Sequence, residues 1–295
     1  MRITEGMIAS DYLTSVNRTR SEMVKLQSDL ATGKRVLKPS DDPLAADTIL
    51  RINGSIDQNE QYQKNVSEGQ SMMEMTSSSL DSFTTMLINA KTLVTRASSG
   101  AQQDSWGSYA DQLDELLGEA VDIANTQNNG KYLFGGTQTL TPPFTLAADR
   151  SAVTANPAGI AGDINCLVGE GLTQKMNIDG QTAFQGTQIF STIIRLRDAL
   201  RSGNPVSQAD IDALTSQING VTSAAGTAGA ILQNMDTVST HLGSQNTQLK
   251  SLLSLQQDTD VAEATLQLKQ DETMLNAALS TGAQIIPKSL VDYLS

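Results

Sequence analysis

Leu26-Gln27-Ser28-Asp29-Leu30-Ala31-Thr32-Gly33-Lys34-Arg35-Val36-Leu37-Lys38-Pro39-Ser40-Asp41-Asp42-Pro43-Leu44-Ala45-Ala46 is the stretch at which the chain changes direction. Gly33 can adopt the left-handed conformation that ends a helix, and Lys34 and Arg35 suit the negative end of the helix dipole. Ser40, Asp41 and Asp42 then offer acceptors to the unpaired N–H groups of a new helix, and Pro43 falls in its first turn, where a missing donor costs little. Two helices are therefore expected, with a joint at residues 33–42 that includes Pro39.

Upstream, a three-four alternation runs from Ile3 through Ala9, Tyr12, Val16, Thr19, Met23, Leu26 and Leu30. It is a single thin stripe. A helix of that length spans about 45 Å at ~1.5 Å per residue and carries too little apolar surface to stand alone, so it needs a partner. Downstream, residues 44–98 lack proline, and Tyr62, Val66, Gly69, Met73, Thr76, Leu80, Phe83, Leu87, Ala90 and Val94 keep one register, as in a long bundle or coiled-coil helix. Ser98-Ser99-Gly100 ends it. A shorter helix with Tyr109, Leu113, Leu116, Leu117, Ala120 and Ile123 on one side follows, and Asn128-Asn129-Gly130 is expected to close it.

From Lys131 to Gly186 the chain turns to Thr, Gly and short apolar pieces, which reads as a β-containing insert. Leu172 to Ile178 alternates like a strand, and Asp179-Gly180 reads as a turn. Helix returns through Ile189, Ile193, Leu196 and Leu200 and stops at Gly203-Asn204-Pro205. Ser207, with Asp210 at the capping-box position, starts a long helix with Ile211, Leu214, Ile218, Val221, Ala225, Ala228, Leu232, Met235, Leu242, Leu249 and Leu253 on one face. It is the natural companion of residues 44–98. A second joint falls at residues 256–259, where Asp258 or Asp260 with Glu263 makes a helix start. The last helix should hold Val261, Ala264, Leu268, Leu275, Ala278 and Leu279 inside, limited by Gly282 and Pro287.

The expected fold is mainly α: a long antiparallel helical bundle or coiled coil formed by N- and C-terminal segments, with a smaller β-containing inserted domain. Residues 1–32 with 260–295 form a terminal coiled-coil domain, 43–130 with 187–255 a helical bundle, and 131–186 the insert. The terminal stripes, with Ile3, Tyr12, Val16, Met23, Leu26, Leu30, Val261, Leu268, Leu275 and Leu279, make more sense as an assembly surface than as a private core. Both terminal helices are expected to order on polymerisation.

Several stretches resemble the bacterial flagellin family, and within it the junction proteins between hook and filament. They are Gly33-Lys34-Arg35-Val36 with Pro39-Ser40-Asp41-Asp42-Pro43 and Ala45-Ala46, then Gly130 to Gly136 with Pro142-Pro143-Phe144, Asp258 to Ala264, and Gly282 to Leu294. The resemblance implies a terminal helix pair lining the flagellar channel, self-association in a ring or helical layer, and an extracellular place at the junction. It also implies the first hook-associated protein and flagellin as partners, a cytoplasmic export chaperone, and export through the flagellar secretion apparatus without a cleaved signal peptide. A minor flagellin and a non-flagellar coiled-coil scaffold are the alternative readings.

Composition agrees with a structural subunit. The 295 residues are 39% hydrophobic and only 4% aromatic, suited to long helices packed side by side. A formal charge of −12 argues against nucleic acid and anionic membrane as partners. No apolar run approaches the ~18 residues of a membrane span. His241, the single histidine, removes zinc His clusters and His-based triads and reads as a surface or interface residue. Ala31 to Arg35 lacks the spacing of a phosphate loop. The pairs Asp41-Asp42 and Asp258-Asp260 lack the alternating ligands of an EF-hand and read as helix starts. Met72, Met73, Met75 and Met86 read as bundle core with some exposure rather than as a binding groove, and Cys166 as a small semi-buried residue. No enzyme, cofactor or metal is expected.

Overall fold

The computed structural model describes residues 5–98 and 103–285. Its helices are α1 (Glu5–Thr32), α2 (Pro43–Ser98), α3 (Trp106–Ala124), α4 (Gly180–Phe184), α5 (Gln188–Arg201), α6 (Gln208–Gln257) and α7 (Val261–Ile285). The strands are β1 (Gln127–Asn128), β2 (Lys131–Tyr132), β3 (Phe144–Leu146), β4 (Val153–Ala155), β5 (Asn165–Gly169) and β6 (Leu172–Lys175). They pair as three antiparallel two-stranded ribbons, β1 with β2, β3 with β4 and β5 with β6. The mainly α fold with a small β-containing part is as the periodicity implies. Among the described residues no helix is long and apolar enough to cross a membrane.

The chain divides into two compact units, residues 1–57 with 246–295 and residues 58–245. In the second unit the α2 stripe is core: Val66, Met73, Leu80, Phe83, Leu87, Ala90 and Val94 are buried, as are Leu214, Val221, Ala228, Met235 and Leu242 of α6. The Met235 side chain lies against Gly69, and Gln63 approaches Gly243, so α2 and α6 run antiparallel here. Met72, Met73 and Met86 are buried, whereas Met75 is 40% exposed. His241 is exposed.

All five phenylalanines of the chain gather where the insert meets the helices. Phe184 at the end of α4 stacks within 4.6 Å of Phe83, 4.8 Å of Phe134, 5.6 Å of Phe144 and 6.1 Å of Phe190, centroid to centroid. Such tilted and edge-on pairs add about 0.5–1.5 kcal/mol each beyond their burial. The cluster thus fixes the insert on α2 and α5. The Asn125 amide completes the attachment by donating to the Phe144 carbonyl at 2.8 Å and accepting from its N–H at 3.1 Å. Asn65 of α2 donates to the Leu167 carbonyl at 2.8 Å, which holds the β5–β6 ribbon down.

Two expected turns are built differently. Asn129 and Gly130 do not close α3, which ends at Ala124; with φ of 50° and 77° they form the β1–β2 hairpin turn. Asp179-Gly180 is a helix start, because the Asp179 carboxylate accepts the Thr182 N–H at 2.6 Å. At the start of α6, Ser207 Oγ accepts the Asp210 N–H at 3.2 Å and donates to the Asp210 carboxylate at 2.6 Å. Asp210 therefore answers the capping hydroxyl.

Candidate assembly joint and terminal helix pair

The two joints, some 220 positions apart in sequence, meet (the Arg35 guanidinium and Gln256 are separated by 221). Arg35 donates its backbone N–H to the Gln257 carbonyl at 2.7 Å, and Thr259 donates to the Gly33 carbonyl at 3.0 Å. These two bonds flank an antiparallel bridge between Lys34 and Asp258. Arg35 Nη2 adds a bond to the Gln256 carbonyl at 3.2 Å. Carbonyls left unpaired at the end of α6 are thus answered by the chain leaving α1.

Gly33 sits at φ 70°, and a Cβ there would meet nothing within 4 Å, so conformation rather than space calls for glycine. Lys38 to Asp41 then form a turn, Asp41 N–H to Lys38 O at 3.0 Å, with Pro39 at the position whose φ it presets. The Asp41 carboxylate accepts the N–H groups of Lys38 and Leu37 at 2.9 and 3.1 Å, which hold its pKa below the usual carboxylate range. It stabilises the turn and does not cap α2. Asp42 is the cap: its carboxylate takes the Ala45 N–H at 3.0 Å, which lowers its pKa, helped by Arg35 at 3.5 Å. Ser40 is exposed, and Pro43 is the first residue of α2.

On the other strand of the joint, Asp260 caps α7 by accepting the N–H groups of Ala262 and Glu263 at 2.9 and 3.1 Å. Asp258 instead accepts from Ser254 Oγ at 2.6 Å, which closes the end of α6. Beneath the joint, Val36 packs with Ala45, Ala46, Ile49 and Leu253 in a small apolar cluster. Thr259 Oγ1 is buried without a hydrogen-bond partner. Asp29, 5% exposed in the last turn of α1, has its pKa raised by burial, against the pull of Lys25 and with the push of Asp41. Periodicity gave no sign of it, because a carboxylate on the packed side of a helix breaks the pattern that periodicity reads.

Beyond the joint α1 and α7 pair along their length. On α1, Tyr12, Val16, Thr19, Met23, Leu26 and Leu30 are half-buried, at alternating spacings of four and three. On α7 the covered positions are Ala264, Leu268, Asp271, Leu275, Ala278 and Gly282, with the same alternation. That is a heptad seam, and Asp271 occupies a core position in it. Val261 and Leu279, expected inside, are 59% and 54% exposed, because the seam runs through their neighbours Ala264 and Ala278. Leu266 and Met274 of α7 and Leu13 and Val24 of α1 are exposed as well. Ile3 lies outside the described residues.

Comparison with known proteins places this geometry. Residues 3–139 match the bacterial flagellin N-terminal helical region. The chain is 26% identical over 269 residues to flagellar hook-associated protein 3 of Escherichia coli, covering 88% of this chain and 84% of that protein. It is 28% identical over 195 residues to flagellar hook-associated protein 3 of Salmonella typhimurium, covering 65% of this chain and 58% of that one. A flagellar hook-associated protein from Vibrio parahaemolyticus shares the fold, with a TM-score of 0.66, 21% identity, and coverage of 74% of this chain and 99% of that chain. The joint, its caps and the terminal pair thus belong to a chain that is similar to the flagellin N-terminal helical region over residues 3–139 and to hook-associated protein 3 over most of its length.

Proposed function

We propose that the chain is a structural subunit of the bacterial flagellum, an adaptor at the hook–filament junction on which the flagellin filament is seated. The relation to hook-associated protein 3 along most of the chain supports it. The observation that carries the assembly role is the terminal pair: its seam leaves Leu13, Val24, Leu266, Met274 and Leu279 uncovered, a second set of apolar side chains that a neighbouring subunit would bury. No catalytic step is assigned to the chain.

The adaptor works by geometry. One end meets the first hook-associated protein, the other meets flagellin, and copies of the chain associate in a layer between them. The joint lets the terminal pair re-angle, because it is spanned by two backbone bonds, the Arg35 side-chain bond to the Gln256 carbonyl and one small apolar cluster rather than by a broad core. Before assembly a cytoplasmic chaperone holds the chain, and the flagellar secretion apparatus exports it without a cleaved signal. In the monomer α1 and α7 are mobile, since a seam of half-buried side chains interrupted by Thr19 and Asp271 holds little apolar surface. Strong amide protection before residue 33 in isolated monomer would reject that mobility.

Deleting the gene, imaging cells by negative-stain electron microscopy and probing the medium for flagellin tests the role. Bare hooks with flagellin lost to the medium are expected. Filaments of normal length would point instead to a minor flagellin.

A further inference from the structure

Gly282 looks like a helix stop in the sequence, yet α7 continues through it to Ile285, and Gly282 is buried. Its position is explained by Tyr12 of α1. The Tyr12 hydroxyl donates to the Ala278 carbonyl at 2.7 Å. Ala278 and Gly282 are one helical turn apart on the same face, and a Cβ built on Gly282 would run into the Tyr12 hydroxyl, its ring carbon Cζ, and Cε1 at 2.7 Å. In an α-helix the carbonyl of Ala278 already accepts the N–H of the residue four positions on, which is Gly282. Its second lone pair is what Tyr12 reaches, and only a residue without a side chain leaves the approach open.

We infer that Tyr12 and Gly282 form a knob and socket that fixes the register of α1 on α7, and with it the face that the terminal pair presents to neighbouring subunits. The inference rests on the assembly role proposed above. The joint sets the register at one end of the pair through the Lys34–Asp258 bridge, and the buried Asp271 marks the middle of the seam. Toward the far end the apolar positions Val16, Leu275 and Ala278 by themselves are weak markers of register. A phenol that fits at one glycine and bonds one carbonyl fixes that end. Tyr12 is thus a positioning residue for assembly.

The inference and the ordinary reading of Gly282 as a helix breaker predict opposite signs for Gly282→Ala. Alanine is the better helix former, so a mere breaker would be improved by it. The experiment complements the deletion strain with full-length variants and counts filaments per hook, with the amount of variant exported to the medium as the control for folding and secretion. Complementation by the unaltered chain tests the junction role by itself, so the two ideas fail separately. Gly282→Ala is expected to lower filaments per hook by about tenfold at normal export, the scale of coupling between contacting residues. Tyr12→Ala combined with Gly282→Ala should restore most of the loss, since removing the ring removes the clash. Tyr12→Phe, which keeps the ring and loses the donor without any clash, should give a smaller loss. Gly282→Ala assembling as well as the unaltered chain, or a defect that Tyr12→Ala does not relieve, would overturn the inference. Should Gly282→Ala fail to be exported, Tyr12→Phe decides alone: a normal filament count overturns it.

Discussion

Arg35 donates its backbone N–H to the carbonyl of Gln257 at 2.7 Å, and through that bond the end of α1 is tied to the end of α6. The exit from the first helix and the entry to the last are one structural element. A change at either strand is therefore expected to register at the other.

Gly33 is the sharpest test of that element. Gly33→Ala places a side chain at φ 70° with nothing within 4 Å to clash, so the effect isolates backbone conformation. A loss of about 1–2 kcal/mol is expected, seen as faster amide exchange at Arg35 and Thr259. In cells, a helix former at this position should disturb junction assembly, counted as filaments per hook.

Thr259 should behave in the opposite way. Its buried hydroxyl oxygen lacks a partner, and Thr259→Val replaces it with a methyl of nearly the same shape. Removing an unsatisfied polar group should stabilise the chain by about 1 kcal/mol. An upward shift of the urea midpoint at unchanged slope checks this; a downward shift would mean that the hydroxyl is satisfied.

Asp114 holds the charged centre of the second unit. Its carboxylate binds Arg197 Nη1 and Arg150 Nη1, each at 2.6 Å, and the Arg197 side chain is only 4% exposed. Burial raises the Asp114 pKa, and the two guanidiniums more than offset it, leaving the pKa lowered. Asp114→Asn removes the carboxylate that Arg197 and Arg150 share and leaves Arg197 paired with Asp198 at 2.7 Å, so it should cost about 1.5–3 kcal/mol, the scale of a hydrogen bond to a charged group. Because the pair is buried, the loss should persist at high salt, as chemical denaturation with and without added salt would show.

The carboxylates divide by sign in their response to pH. Asp41, Asp42, Asp114 and Asp210 have folded pKa values below their unfolded ones. Their stabilisation is complete above the unfolded value of about 4 and is lost as pH falls through the folded values. Asp29, raised first by burial, does the reverse: its ionised form opposes folding at neutral pH, and acid relieves it. Stability should therefore fall on acidification below about pH 4. Asp29→Asn should raise the thermal midpoint at pH 7 and leave it unchanged at pH 3.

What a few neighbouring residues settle among themselves was legible in the sequence. Gly33 needs a left-handed backbone, Pro43 lacks a donor, Asp42 and Asp260 stand before helices, and the stripes of α2 and α6 repeat at helical period. Each is decided within a turn or so of chain, by sterics, local hydrogen bonds and periodic burial. Where a local pattern fits two structures, only tertiary context chose between them. Asp179-Gly180 became a cap once the Gly180 N–H met the carbonyls of Phe134 and Ile160 at 2.9 and 3.0 Å, and Asn129-Gly130 became a hairpin turn once Asn125 ended α3. The pairing of the two joints, the burial of Asp29 and Asp271, and the socket that Gly282 makes for Tyr12 lay wholly outside local pattern. Tyr12 bonds a carbonyl 266 positions away. Nothing in the sequence near either residue encodes that distance, because it exists only after α1 and α7 have been brought side by side.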